Sequence, residues 1–268
     1  MSGFVYDILG IFGVKKENVL LLNKTTRFRN VYLPELGFDK MSFFTEKFSK
    51  MYDKMAENVP DAKVYEKIYV SRAALPNDRR TYGEEKIQNI FQKNGFQIVY
   101  PEQLPLEKQI ALIKNCRELA GCAGTALHLA LVMKPGGTVI QIKRNSPLDD
   151  NGDVQCLINM AKGLDSVFIS GSCETRKTTH WSNVPQIICV TKYMKQFFDE
   201  NNFIYTQEDL AIDKKENDAY VKVLESLPNT KTFASVLKSK FIKITSCFIP
   251  GRLTRKRYRN FMKEHLHV

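Results

Sequence analysis

From Lys67 onward the sequence alternates short β-rich runs with amphipathic stretches, and that alternation constrains the fold more than any other feature of the chain. Lys67–Ser71 (KIYVS), Phe96–Tyr100 (FQIVY), Glu118–Cys122 (ELAGC), Thr138–Ile142 (TVIQI) and Ser166–Ser170 (SVFIS) predict five strands. Between them, Ile87, Ile90 and Phe91 fall on one helical face, and Asn94-Gly95 supplies a stop. Thr81-Tyr82-Gly83-Glu84 fits a capping box that would start this helix. Pro105 suits the first turn of a second helix, carrying Leu106, Ile110 and Ile113. Thr125–Met133, Val154–Gly163, Thr191–Glu200, Glu216–Ser226, Thr232–Thr245 and Arg252–His265 read as further helices. Parallel strands need crossovers, and helical crossovers cover both faces of the sheet. The expected class is therefore α/β, a Rossmann-like parallel sheet with helices on both faces, and the expected domains are 1–60, 61–210 and 211–268.

The first sixty residues are less regular. Asn18–Asn23 (NVLLLN) and Phe28–Leu33 read as short strands. Phe38–Met55 reads as an amphipathic helix with Met41, Phe44, Phe48, Met51 and Met55 on its apolar face. At 43% hydrophobic and 26% charged, the 268 residues can bury a real core, which excludes wholesale disorder. No apolar run is long enough to span a bilayer, and the N-terminus lacks the pattern of a secretory signal, so a cytosolic location is expected. Six scattered cysteines without a C-x-x-C pair read as reduced, mostly buried thiols.

Open parallel sheets bind ligands beyond the carboxyl ends of their strands. Ser71-Arg72 and Arg79-Arg80 follow the first strand, Gly121-Cys122-Ala123-Gly124-Thr125 ends the third, and Lys143-Arg144 ends the fourth. Guanidiniums together with a glycine turn that feeds a helix N-terminus suit a phosphate-bearing ligand. The plainer alternatives are a tight turn at Gly121 and Gly124 and solvated loop charges at Arg72 and Arg80. G-x-x-G is neither a Walker A motif nor a dinucleotide fingerprint. His128, one helical turn beyond Thr125 among apolar neighbours, is either a group beside the anion site or a buried histidine satisfied by a carbonyl. Glu84 reads as a cap first and a ligand second. The cluster Asp149-Asp150-Asn151-Gly152-Asp153 lacks EF-hand spacing and reads as a turn, so no metal is expected. His180 has no visible partner, and no hydrolase triad is recognisable.

Taken in order, these residues resemble glycosyltransferase family 61, whose bacterial members act in capsular-polysaccharide and lipopolysaccharide biosynthesis. The likeness runs from Lys67-Ile68-Tyr69-Val70-Ser71-Arg72 through Arg79-Arg80…Glu84 and Gly95-Phe96. It continues over Pro101-Glu102, Glu107…Gln109-Ile110, Gly121-x-x-Gly124-Thr125-Ala126-Leu127-His128 and Pro135-Gly136-Gly137-Thr138-Val139-Ile140. Ala123, Leu129, Gln141 and Gly83 depart from the family's commoner residues. The resemblance implies a two-lobed GT-B architecture in which this Rossmann-like part is the C-terminal, donor-binding lobe. It implies that Ser71, Arg72, Arg79, Arg80, Glu84, Gly121, Gly124, Thr125 and Ala126 bind a nucleotide-sugar, UDP-linked, and that His128 lies beside it as the catalytic candidate. Arginines and a helix start would neutralise the departing diphosphate without a metal.

Residues 1–60 look like the last portion of a larger N-terminal lobe. The chain would then be a hexosyl- or pentosyltransferase in surface-polysaccharide assembly. The alternative is a non-catalytic donor-binding lobe, or a subunit of a split enzyme whose missing lobe acts in trans. The acceptor would be a glycan or lipid-linked glycan.

The net charge of +11 is uneven, with +9 of it in residues 231–268. Basic amphipathic helices lie in membrane interfaces. Lys238, Lys240, Lys243, Arg252, Arg255, Lys256, Arg257 and Arg259 are accordingly the expected contacts to an anionic membrane surface, on its inner face. Aromatic-basic interleaving is missing from the body, so nucleic acid is not an expected partner.

Overall fold

The computed structural model describes residues 3–39, 42–144, 154–173, 185–226, 241–242, 244–247, 249 and 251–265. The chain divides into two compact units, Met1–Val223 and Leu224–Val268.

The first unit opens with helix α1 (Gly3–Ile11), followed by a single 3₁₀ turn at Lys16–Asn18. Between Leu20 and Leu36 the chain forms no strand, contrary to the expectation for Asn18–Asn23 and Phe28–Leu33. Among the described residues no strand pairs with these runs. Leu20, Leu22, Val31, Tyr32, Leu33 and Leu36 are exposed there. The expected helix from Phe38 begins later. β1 (Phe38–Asp39) and β2 (Phe43–Phe44) pair antiparallel, and α2 covers Glu46–Asn58. Thr45 sets that start, because its Oγ1 accepts from the Phe48 N–H at 3.3 Å.

The remaining elements of this unit are β3 (Lys67–Val70), β4 (Thr81–Tyr82), α3 (Glu84–Lys93), β5 (Gln97–Val99), α4 (Leu106–Ile113) and β6 (Glu118–Cys122). Then come a 3₁₀ helix (Thr125–Val132), β7 (Thr138–Lys143), α5 (Val154–Lys162), β8 (Asp165–Ser170), β9 (Gln186–Ile187), α6 (Lys192–Glu200), α7 (Gln207–Leu210) and most of α8 (Lys214–Ser226). Five strands form one parallel sheet in the order β5-β3-β6-β7-β8, which is the expected α/β class with a Rossmann-like sheet. A separate pair, β4 with β9, is also parallel.

Strand alternation divides the core between the two faces. Ile68 and Val70 of β3, Leu119 of β6 and Val139 of β7 meet α4, α5 and the 3₁₀ helix, joined there by Ile11, Met55 and Val59 from the N-terminal segment. Tyr69, Ala120, Cys122, Ile140, Ile142 and Ile169 meet α3 and α6 on the other face. Phe91 is the hub of that second layer, with the rings of Tyr69, Phe96, Phe203 and Phe198 at 5.0, 4.9, 5.3 and 5.9 Å.

Two further expectations fail. Thr81 does not cap α3, because it is already extended in β4 and fully buried. Gly83 takes the cap position in a left-handed conformation at φ 82°, and Glu84 turns inward instead of back to the cap. The cysteines are not all reduced, since Cys173 and Cys189 form a disulfide. The antiparallel bridge Ser172–Ile188 brings their Cα atoms to 5.7 Å, a proximity that sequence spacing does not reveal. Cys116 and Cys122 are buried free thiols, and burial pushes the Cys116 thiol up to about 12.

In the second unit the helix Arg252–His265 follows Gly251. It is tied to the preceding segment by Tyr258 Oη donating to Thr245 Oγ1 at 3.0 Å and Arg259 Nε donating to Ser246 Oγ at 2.7 Å. Ile242 and Ser246 are buried. Lys238, Lys240 and most of the expected helix Thr232–Thr245 lie outside the described residues, as do Lys243, His180 and the acidic cluster 149–153. Among the described residues no helix is long and apolar enough to cross a membrane.

Candidate functional site

The sheet order places a winding reversal between β3 and β6. From β3 the chain steps outward to β5, then crosses back past β3 to β6 and continues the other way to β7 and β8. At such a reversal the loops leaving two neighbouring strands diverge and leave a crevice at their carboxyl ends. Arg72 leaves β3, Cys122-Ala123-Gly124 leaves β6 and Arg144 leaves β7, so three of the loops singled out in the sequence open at one rim.

Gly124 and Arg72 meet there. A Cβ on Gly124 would lie 2.7 Å from Arg72 Nη1, so the absence of a side chain lets the guanidinium lie against the turn. Arg72 Nη2 reaches the carbonyl of Arg79 at 3.5 Å, and its Nε is buried without a hydrogen-bond partner. A buried N–H without an acceptor is a donor that the protein's own groups leave unsatisfied. Arg144, 8% exposed, donates from Nε to the carbonyl of Ala123 at 2.8 Å. Burial, and then the charge of nearby Arg72, lowers the Arg144 pKa to about 10. It remains a cation at neutral pH.

Beneath the rim lies Glu84, 0% exposed. Both its carboxylate oxygens accept from the backbone N–H of Arg72 at 3.1 Å, and Oε1 also accepts from Tyr69 Oη at 3.2 Å. Tyr69 Oη lies 3.8 Å from Cys122 Sγ. Burial lifts the Glu84 carboxyl to about 7, opposed by the Arg72 N–H, by Cys122 and by the charges of Arg72 and Arg144.

The other sequence-derived positions divide as follows. Ser71 is buried and its Oγ accepts from the Ala73 N–H at 3.1 Å. Gly121 permits close strand packing, since a Cβ would lie 2.6 Å from the carbonyl of Val70. Thr125 is exposed and Ala126 half-buried at the start of the 3₁₀ helix, where Leu127 N–H returns to the Gly124 carbonyl at 3.1 Å. His128 sits half-buried on that helix.

Arg79 is exposed and contributes its carbonyl to Arg72. Arg80 is committed elsewhere, ion-paired with Glu85 and 5.5 Å above the Tyr82 ring. Glu216 adjoins that pair, raised to about 7 by burial and by the charge of Glu85.

Sequence reasoning missed Tyr69 and Cys122 and named Arg144 only in passing. The signal for Tyr69 was present, because a phenol within a buried strand needs a partner for its hydroxyl. Among the described residues no group of three His, Cys, Asp or Glu is placed to hold a metal ion. The family model described as Glycosyltransferase 61 matches residues 4–140. No curated protein matches the sequence.

Proposed function

The chain belongs to glycosyltransferase family 61, and from that premise we propose that it transfers a sugar from a UDP-linked donor to a glycan or lipid-linked glycan in surface-polysaccharide assembly of the bacterial capsular or lipopolysaccharide kind. The observation that carries this reading is the Arg72 guanidinium lying against the Gly124 turn at the winding reversal of the sheet. In glycosyl transfer the diphosphate gains charge as the anomeric bond breaks. Arg72 and Arg144, with the first N–H groups of the helix that starts at Thr125, would neutralise that charge from fixed positions. This role needs no metal. His128 is the group we assign beside the transferred sugar. The transferred group would be a hexose or pentose. Calorimetric titration with UDP-sugars and other nucleotide-sugars tests the reading: a saturable heat with at least one donor is expected, and silence with all of them removes it.

A second reading is a donor-binding subunit that works with a lobe supplied in trans. It is favoured by the extended segment Leu20–Leu36, whose apolar side chains are exposed and would suit a covering partner chain. Sugar transfer by the isolated chain would eliminate it.

The C-terminal unit supports work at the inner face of an anionic membrane. Arg255, Lys256 and Arg257 are exposed on the helix Arg252–His265, and Phe241, Ile244 and Phe261 are exposed in the same unit. Each cation near an anionic surface contributes about 1 kcal/mol, so reversing all three to Glu should weaken vesicle binding by roughly a hundredfold or more. Co-sedimentation with phosphatidylserine-containing vesicles measures it. A steep salt slope on duplex DNA without vesicle binding would instead assign the unit to nucleic acid.

A further inference from the structure

The groups around Glu84 form a closed set. On its own helix α3 it is the buried acid of the first turn. Tyr69 faces it from β3, Arg72 from the loop after β3, Cys122 from the end of β6, and the charge of Arg144 acts from the end of β7. One carboxylate therefore feels the charge of two guanidiniums, held through the backbone of one of them and not in a direct ion pair with either. The Nε of Arg72 has no acceptor among the protein's own groups.

We propose that Glu84 is the buried counterion of the Arg72–Arg144 pair, and that an anion docking on these arginines is bound together with a proton taken up at Glu84. The inference rests on the reading of this rim as an anion site and adds to it a coupling that the sugar-transfer reading does not require.

The coupling is reciprocal. A second negative charge brought close to a buried carboxylate disfavours its charged form, so the anion must raise the affinity of Glu84 for a proton. By linkage the proton must then raise the affinity for the anion by the same factor. Cys122 and Tyr69 are held neutral, both pushed well up by burial, and cannot supply the compensating proton change. Glu84 titrates in the physiological range and can.

The sign follows. A carboxyl whose folded pKa is raised from 4.5 to about 7 contributes stability that is full below about 4.5 and lost as pH rises through about 7. Anion affinity is level below about 7, where Glu84 holds its proton with or without the anion, and falls as pH rises from there toward the higher midpoint of the anion-bound form, by up to about tenfold per pH unit.

The experiment uses the full chain labelled with ¹³C at glutamate Cδ, with sodium sulfate and UDP-glucose as probes, since neither anion titrates near neutrality. Two glutamate signals should titrate near neutral pH, those of Glu84 and Glu216, and the one missing in Glu84→Gln is the signal of Glu84. Both probes should move its midpoint upward, and the affinity of Glu84→Gln for either should lose its pH dependence. Any pH dependence surviving in Glu84→Gln would belong to another group and would overturn the proposal. A midpoint that stays put under saturating sulfate overturns it too. If sulfate moves the midpoint and no nucleotide-sugar does, the coupling stands and the sugar-transfer reading falls. Should Glu84→Gln fail to fold, calorimetry on the native chain in two buffers of different ionisation heat still counts the protons taken up per sulfate. Zero uptake would refute the coupling.

Discussion

Exchanging Arg72 for alanine is expected to lower sugar transfer by about 10²- to 10³-fold, the loss that accompanies removal of one preorganised donor from a developing anion. The fold should survive the change. The Arg72 side chain is only partly buried, and the backbone N–H that Glu84 grips remains in place. Arg72→Lys should recover little, because an ammonium cannot hold the Arg79 carbonyl with one nitrogen while presenting others to a diphosphate. The check is kcat/KM for nucleotide release, with circular dichroism confirming the fold. Unchanged turnover in Arg72→Ala would mean that the Gly124 turn does not face the leaving group.

The largest effect on stability is expected at Gly83. Its φ of 82° disfavours any L side chain by about 1–2 kcal/mol. An added Cβ would also lie 2.1 Å from the carbonyl of Ile188, which is backbone and has no rotamer into which to retreat. Gly83→Ala must therefore separate the start of α3 from the β4–β9 pair. A total cost of about 3 kcal/mol corresponds to a fall of about 6–12 °C in Tm. The same separation would displace Glu84 from Arg72, so anion binding should decline with stability. A melting temperature within a degree of the native value would show that the turn relaxes freely.

Much of this architecture was legible in the sequence, because five β-rich runs interrupted by helical periodicity leave few alternatives to a covered parallel sheet. The strand order was not. It depends on which strand the β5–β6 crossover passes, and local pattern carries no record of that. The rim was legible in outline for the same reason, since strand ends in parallel sheets converge on one edge and Arg72 and Gly124 each sit at such an end.

Arg80 shows the limit. It lies near Arg72 in sequence, but its orientation follows from Glu85 and the Tyr82 ring, a pairing invisible without the β4–β9 contact. Glu84 shows another. Its spacing from Thr81 fits a cap, yet burial of β4 removes Thr81 from that role and leaves the carboxylate to the backbone of Arg72. Asn18–Asn23 and Phe28–Leu33 mislead in the opposite way, because an apolar run becomes a strand only where another strand pairs with it.

The open stretch from Leu20 to Leu36 also determines how the native protein meets a protease. Its backbone is accessible over a length that an enzyme cleft can accommodate, so the first cut should fall there. Ile11 is nevertheless buried with Met55 and Val59, and the Asn58 side-chain amide donates to the Ile11 carbonyl at 3.0 Å. The severed N-terminal piece should stay seated, giving two bands on a denaturing gel and one particle on a sizing column.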